Sequence, residues 1–349
     1  DGHEEVALIS VDAIGFSSTD VARVRSHVSE MRPQDIIISA THTHSAPDTL
    51  GLWGPTWLGL IPRRSGVNQP WWHETLDRIG LALSALRETA EPAALRSTHF
   101  VVEPHWTRND RMGGGRFDHA MTFQLLKASN LSPLCTLLNY ASHPEALWSD
   151  NTLISADFPG HFRHHLRAKV GGEAIYVNGP LGGMLTPNVA EDADLQERRA
   201  YIAALGVHLA EQALYALEQS QPEPEPGLTH SWTPLKLPNE NWKLRTLRRL
   251  GILNTKTEAL NVATEVHRIA LGSVEVLTAP GELTPELGQQ VMAMMNGRDP
   301  GVFGLTIDEL GYILRRDQFH HPEYRYERSV SLGPGTAERL LAAHATLVE

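Results

Sequence analysis

Apolar residues in this chain come either as short unbroken runs or as stripes with a helical period. Residues 6–11 (VALISV) and 35–40 (DIIISA) are continuous and rich in β-branched side chains, the pattern of strands buried on both faces. Between them, Ser17-Ser18-Thr19-Asp20 supplies N-caps for a helix running to Met31. Further strands are predicted at 94–102, 121–127, 134–141 and 174–177, and two more within 264–279, joined at Gly272. Helical periodicity marks 71–90, 194–219, 285–295 and 336–348. A β-α-β opening followed by strands and helices in mixed order predicts an α/β or α+β class, with a mixed sheet core covered by helices.

Two stretches break the pattern. Residues 41–69 are rich in Gly, Pro and Trp and have no period, and residues 144–160 are also irregular. Loops of that length inside a compact domain are usually functional. The first contains Trp53-Gly54-Pro55-Thr56-Trp57 followed by Leu58-Gly59-Leu60-Ile61. This apolar segment caps a greasy substrate pocket, or contacts lipid peripherally, or simply packs its tryptophans down. The run from Gln221 to Pro226 alternates Pro and Glu. Strands resume after it, so 220–227 is expected to be a surface crossing within one domain over 1–349.

Composition narrows the class. At 349 residues, 41% hydrophobic and 20% charged, the chain is globular and long enough for a sizeable core. Its net charge of -11, with no basic run longer than a pair such as Arg248-Arg249, argues against nucleic acid as a partner. Cys135 is the only cysteine, which excludes an intramolecular disulfide and a zinc ribbon. It lies in an apolar stretch and is expected in the core. No apolar run approaches the ~18 residues of a membrane span, and no signal peptide is visible. The chain starts at Asp1 and enters a strand at once, so residues are expected to have been lost upstream. The compartment, secreted or cytoplasmic, and the oligomeric state stay open.

The chemistry concentrates at two strand ends. Thr41-His42-Thr43-His44-Ser45 follows one apolar strand, where open α/β sheets place ligands. Alternation would put His42 and His44 on one face, half of a metal site. Asn139-Tyr140-Ala141-Ser142-His143-Pro144 ends another. Each histidine alone could equally be a hydrogen-bonded core residue, but two such clusters in one chain favour a site. His161, His164 and His165 lie on a helix that lacks the glutamate of HExxH and read as surface residues, and His320-His321 reads as loop.

Thr41-His42-Thr43-His44-Ser45-Ala46-Pro47 resembles the THTHSGPG segment of the neutral/alkaline, non-lysosomal ceramidases. Further islands resemble that family in the same order: 139–144, 151–157, 178–188, Ala279-Pro280-Gly281-Glu282-Leu283, and Gly311-Tyr312 followed by Tyr326-Glu327. The resemblance implies a ceramidase-like catalytic domain and a zinc-dependent hydrolase cleaving an N-acyl amide, ceramide or a related lipid. It implies one zinc ion held by His42, His143, Glu282 and Tyr312. His44 would deliver a proton to the leaving amine. Arg108 or Arg111, and Tyr324 or Tyr326, would hold the oxyanion, the register being open in both pairs. Thr186 stands where family members commonly carry serine, keeping a hydroxyl on a stiffer side chain. Asp157 would orient a histidine, or cap the helix before Pro159. The residues after Glu327 are too few for the immunoglobulin-like domain that well-known ceramidases carry at their C-terminus, and two residues are inserted between Tyr312 and the Tyr-Glu pair.

Three other readings compete. A barrel amidohydrolase also opens with HxH on a strand but needs eight regular β-α repeats, which cannot be traced here. A metallo-β-lactamase would want HxHxDH, and here Ala46-Pro47 follows Ser45. A non-catalytic metal- or ligand-binding protein on the ceramidase scaffold is the reading from another class.

Overall fold

In the computed structural model, which describes residues 4–57, 61–111, 113–255 and 260–349, the first two predicted strands are Ala7–Val11 and Ile36–Ala40. They pair in parallel with Ala7 opposite Ile36. The helix between them is Ser18–Arg25 and is closed by a Ser17/Asp20 capping box. It ends six residues before Met31. Ser26 caps it, and the chain then turns through residues of low helix propensity towards Pro33. Val28 and Met31 are still buried, but from a turn rather than a helix.

Two four-stranded sheets follow. The first runs Ala93–Val101, His119–Lys127, Pro133–Tyr140, Glu173–Asn178, with only the last pair parallel. The second runs Leu228–Pro238, Asn261–Leu271, Val274–Thr278, Asp299–Phe303, again with only the last pair parallel. The class is therefore mixed α/β, and no sheet closes into a barrel among the described residues, which sets the amidohydrolase barrel aside. Asn139 joins the two sheets. Its amide donates to the carbonyls of Val177 and Val302, and its oxygen accepts from the Val302 amide at 3.2 Å.

Helices cover the sheets through apolar faces. Gln69–Arg87 buries Trp72, Leu76 and Leu83 against the first strand pair, and the Trp72 indole donates to Asp20. Phe158–Val170 and Leu195–Glu218 bury Phe158, Phe162, Leu205 and Leu209 against Tyr140 and Tyr176. They pack tightly at Gly206, where a β-carbon would stand 2.6 Å from that of His161. Pro285–Met292 and Thr336–Val348 cover the second sheet. The Pro-Glu stretch is held by a backbone pair between Leu95 and Glu223. Cys135 is half-buried rather than fully in the core, and burial pushes its thiol up to about 11. His320 closes a short helix, Arg316–His320, rather than lying in a loop. No helix of the described residues is long and apolar enough to cross a membrane.

The loops that leave the parallel strands are stitched into one floor. Asn178 donates to the Thr41 carbonyl at 2.5 Å, Gly304 to that of Asn178 at 2.9 Å, Leu305 to that of Gly281 at 3.2 Å, and Ala40 to that of Leu305 at 3.1 Å. The carboxyl ends of strands from three sheets therefore meet at one place, where α/β folds set their ligands.

Candidate metal centre

The strand Ile36–Ala40 stops short of His42, whose backbone has φ of 65°. Strand alternation therefore does not bring His42 and His44 together. The turn does, with ring centroids 5.0 Å apart in a T-shaped contact. His143, three residues beyond Pro133–Tyr140, places its ring 5.3 Å from that of His42 and 5.8 Å from that of His44. Side-chain nitrogens of all three lie within 4.8 Å of one another. Glu282 enters from the turn after Val274–Thr278, with one oxygen 3.0 Å from His143 Nε2 and the other 3.7 Å from His42 Nε2. Glu282 pairs with Tyr312 in a short parallel ladder, so the phenol is carried to the same spot. Its hydroxyl lies 3.3 Å from Met184 Sδ and bonds Glu282.

The tautomers are fixed by the backbone. His42 Nδ1 lies 2.6 Å from the Ile14 carbonyl, and His143 Nδ1 lies 2.7 Å from the Leu185 carbonyl. A carbonyl only accepts, so both Nδ1 atoms carry a proton, and in the neutral rings both Nε2 atoms present lone pairs. Those lone pairs face a carboxylate inside a buried site, an arrangement of acceptors against acceptors. A proton or a cation must lie between them. Two buried imidazole nitrogens, one carboxylate and a nearby phenol are a donor set that fits zinc.

The titration of these groups follows the same logic. Burial alone would push His143 down, but the charges of Glu145 and Glu282 outweigh it and raise it to about 9. Burial lowers His42, against the pull of Glu282. His44 is lowered by burial and then by His42, although about a third of its side chain stays open to solvent. Burial would raise Glu282, but the imidazoles of His42 and His143 reverse this and hold it low. Burial, then Glu282, pushes Tyr312 far up, so without a cation the phenol stays neutral.

Glu145, two residues after His143, was not singled out from the sequence, although a carboxylate beside a strand-end histidine was the available signal. It lies 3.5 Å from His44 Nδ1 and accepts a hydrogen bond from Thr186. Thr186 is itself buried, opposite Arg108 in a short antiparallel ladder.

The two open registers separate in space. The Arg108 guanidinium donates to Asp110 and to the Val189 carbonyl and makes no contact with the histidines among the described residues. Arg111 donates at 2.5 Å to Glu327, which is fully buried and adjacent to Tyr326. Tyr326 lies 6.0 Å from the Tyr312 ring and feels the charges of Glu282, Glu145 and Arg111. Tyr324 turns to Gln318, whose amide donates to its hydroxyl at 3.3 Å, and packs with Tyr312 and Leu314. Asp157 caps Phe158–Val170 by accepting from the Phe158 amide and touches no histidine among the described residues. His161 and His164 are exposed, and His165 pairs with Glu211.

His42, His44 and Glu282 line a cavity of about 130 Å³. Ile14, Leu50, Leu52, Leu253 and Leu310 give it apolar walls, and Trp53, Tyr312 and Tyr326 line it as well. Trp53 is exposed. Residues 58–60 lie outside the described residues, so the segment from Trp53 to Ile61 is described only in part.

No family model matches the chain, and no curated protein matches it. Solved structures do. The crystal structure of neutral ceramidase from Pseudomonas aeruginosa superposes with a TM-score of 0.77 over 97% of this chain and 65% of that one, at 16% identity. A ceramidase described as complexed with C2 gives 0.76 over 97% and 66%, at 15% identity. The chain thus has the fold of those proteins and spans about two thirds of their length.

Proposed function

We propose that this chain, which carries the neutral-ceramidase fold, is a metal-dependent hydrolase that cleaves the amide of an N-acyl lipid. One observation carries the reading: the Nε2 atoms of His42 and His143 converge on the Glu282 carboxylate beside an apolar pocket. That is a cation site beside a place for an acyl chain.

In this reading His42, His143, Glu282 and Tyr312 hold one zinc ion. Bound there, zinc would supply Lewis acidity to the scissile carbonyl and acidify water. The residues do the rest. The apolar wall from Ile14 to Leu253 takes the acyl chain and excludes water. Glu145 orients His44 through its Nδ1, and Thr186 orients Glu145. His44 takes a proton from the attacking water and passes it to the departing nitrogen, so that amide and water become carboxylic acid and amine. Arg111 and Tyr326 face the developing oxyanion, and Arg108 and Tyr324 support the loops that carry them. Tyr326 lines the pocket and Arg111 is tied to Glu327 next to it, whereas Arg108 and Tyr324 turn to other partners.

The test is a series of N-acyl amides of increasing acyl length, assayed with and without a chelator. Turnover that rises with acyl length and disappears on chelation is expected. Hydrolysis of short soluble amides alone would remove the lipid substrate and leave the hydrolase. Chelator-resistant turnover would remove the metal.

A further inference from the structure

The helix Trp242–Arg249 is absent from the expectations drawn above, yet it forms one wall of the pocket through Leu244 and Arg248. Its inner side is Leu244, Leu247 and Arg248, and Leu244 is buried. The outer side holds Arg245, Arg249, Trp242, Thr246, Leu250 and Lys243, which at 100° per residue span a continuous arc of about 160°. Trp242 is 64% exposed and Leu250 is 66% exposed. Lys243, Arg245 and Arg249 have no carboxylate partner among the described residues. The next short helix, Arg325–Ser329, is tied alongside by Asn241, which donates to the carbonyls of Ser329 and Ser331. It adds Arg325, likewise without a carboxylate partner among the described residues, and Arg328, to a groove shared with Trp242 and Lys243.

A chain of net charge -11 therefore gathers cations that lack carboxylate partners among the described residues around an exposed tryptophan, on the outer side of a helix whose inner side lines the pocket. On a soluble face, burying neither the indole nor the leucine and leaving several like charges together costs stability and returns nothing. Against an anionic lipid surface each feature has a partner: the cations meet headgroups, Trp242 sits at the headgroup level, and Leu250 reaches the acyl boundary. We propose that this face docks the protein on an anionic bilayer, through Trp242, Leu250 and the cations around them. The proposal rests on the lipid-amide reading for its purpose, but its binding step can be measured without turnover.

The experiment is co-sedimentation of the whole chain with vesicles of phosphatidylcholine alone and of phosphatidylcholine with phosphatidylglycerol. Binding is expected only with the anionic lipid and is expected to weaken as salt is raised. Each cation removed should lower partitioning about five-fold at low ionic strength, so the triple variant Lys243→Gln, Arg245→Gln, Arg249→Gln should lose it. Trp242→Ala should weaken it while leaving hydrolysis of a short soluble N-acyl amide unchanged. Equal binding to both vesicle types, wild-type partitioning of the triple variant, or retention on an oligonucleotide with none on vesicles would overturn the proposal. Loss of amide turnover in wild type would strike the hydrolase reading and leave vesicle binding as it is.

Discussion

At the scale of single residues, the account turns on which atom of each side chain is already occupied. His42 and His143 give their Nδ1 protons to the carbonyls of Ile14 and Leu185, and this frees Nε2 for a cation. The Leu185 carbonyl belongs to the segment that carries Thr186, so a stretch first noted for its hydroxyl also fixes a tautomer. Arg111 and Arg108 give a direct comparison. Arg111→Ala is expected to lower kcat about 10²-fold, the usual cost of an oxyanion donor. Arg108→Ala, losing bonds to Asp110 and Val189, is expected to act on stability with kcat within a few-fold. Steady-state kinetics beside thermal melts separates the two, and equal losses of kcat would contradict the assignment. The histidines were legible in the sequence because each ends an apolar strand. Glu282 and Tyr312 were legible only through family resemblance, since a glutamate before a helix and a buried tyrosine are ordinary residues.

At the scale of elements, caps and close approaches decide which helices the sequence shows. Thr336–Val348 and Leu195–Glu218 lie where periodicity puts them, the latter between its predicted flanks, Asp194 and Gln219. Trp242–Arg249 escaped because one apolar face only two turns long gives a weak period. Asp299–Phe303 escaped because its Pro-Gly start reads as a turn. Gly206 sits where the helices Phe158–Val170 and Leu195–Glu218 touch, so Gly206→Ala forces a β-carbon onto His161 and the Phe158 carbonyl. A loss of about 1–3 kcal/mol is expected, against the small gain that alanine brings to a free helix. Denaturant melts will read it, and a stabilised variant would mean that the helices shift apart at no cost.

Asp157, which caps the first of those helices, has φ of 56° and a carboxyl that burial raises to about 7 from the ordinary 3.8. The folded state holds this proton more tightly than the unfolded chain. The stability that this provides is complete below about 4 and disappears as pH rises through about 7. Asparagine keeps the capping oxygen and tolerates positive φ. Asp157→Asn should therefore leave stability near its wild-type value at pH 4 and raise it relative to wild type at pH 8. Thermal melts across that range check it, and parallel pH profiles would contradict it.

At the scale of the whole molecule, strand ends from three sheets supply the site, and a carbonyl network joining residues 40, 178, 281 and 305 ties them together. Sequence reading finds strands one at a time. It cannot see that Asn139 locks two sheets together or that two loops share a floor, because those contacts join residues far apart along the chain. The sheet class was legible from the apolar runs, whereas the pairing order was not. A cation bridging such distant segments would stabilise the entire fold. At a free concentration a hundred times its Kd it contributes about 2.7 kcal/mol, so chelation should lower the melting temperature by several degrees and added zinc should restore it.

The most direct test of the central claim is the metal content of the purified chain. Elemental analysis is expected to give one zinc per chain in wild type and none in the His42→Ala, His143→Ala double variant. A wild-type chain free of metal, or a double variant that keeps its full complement, would contradict it.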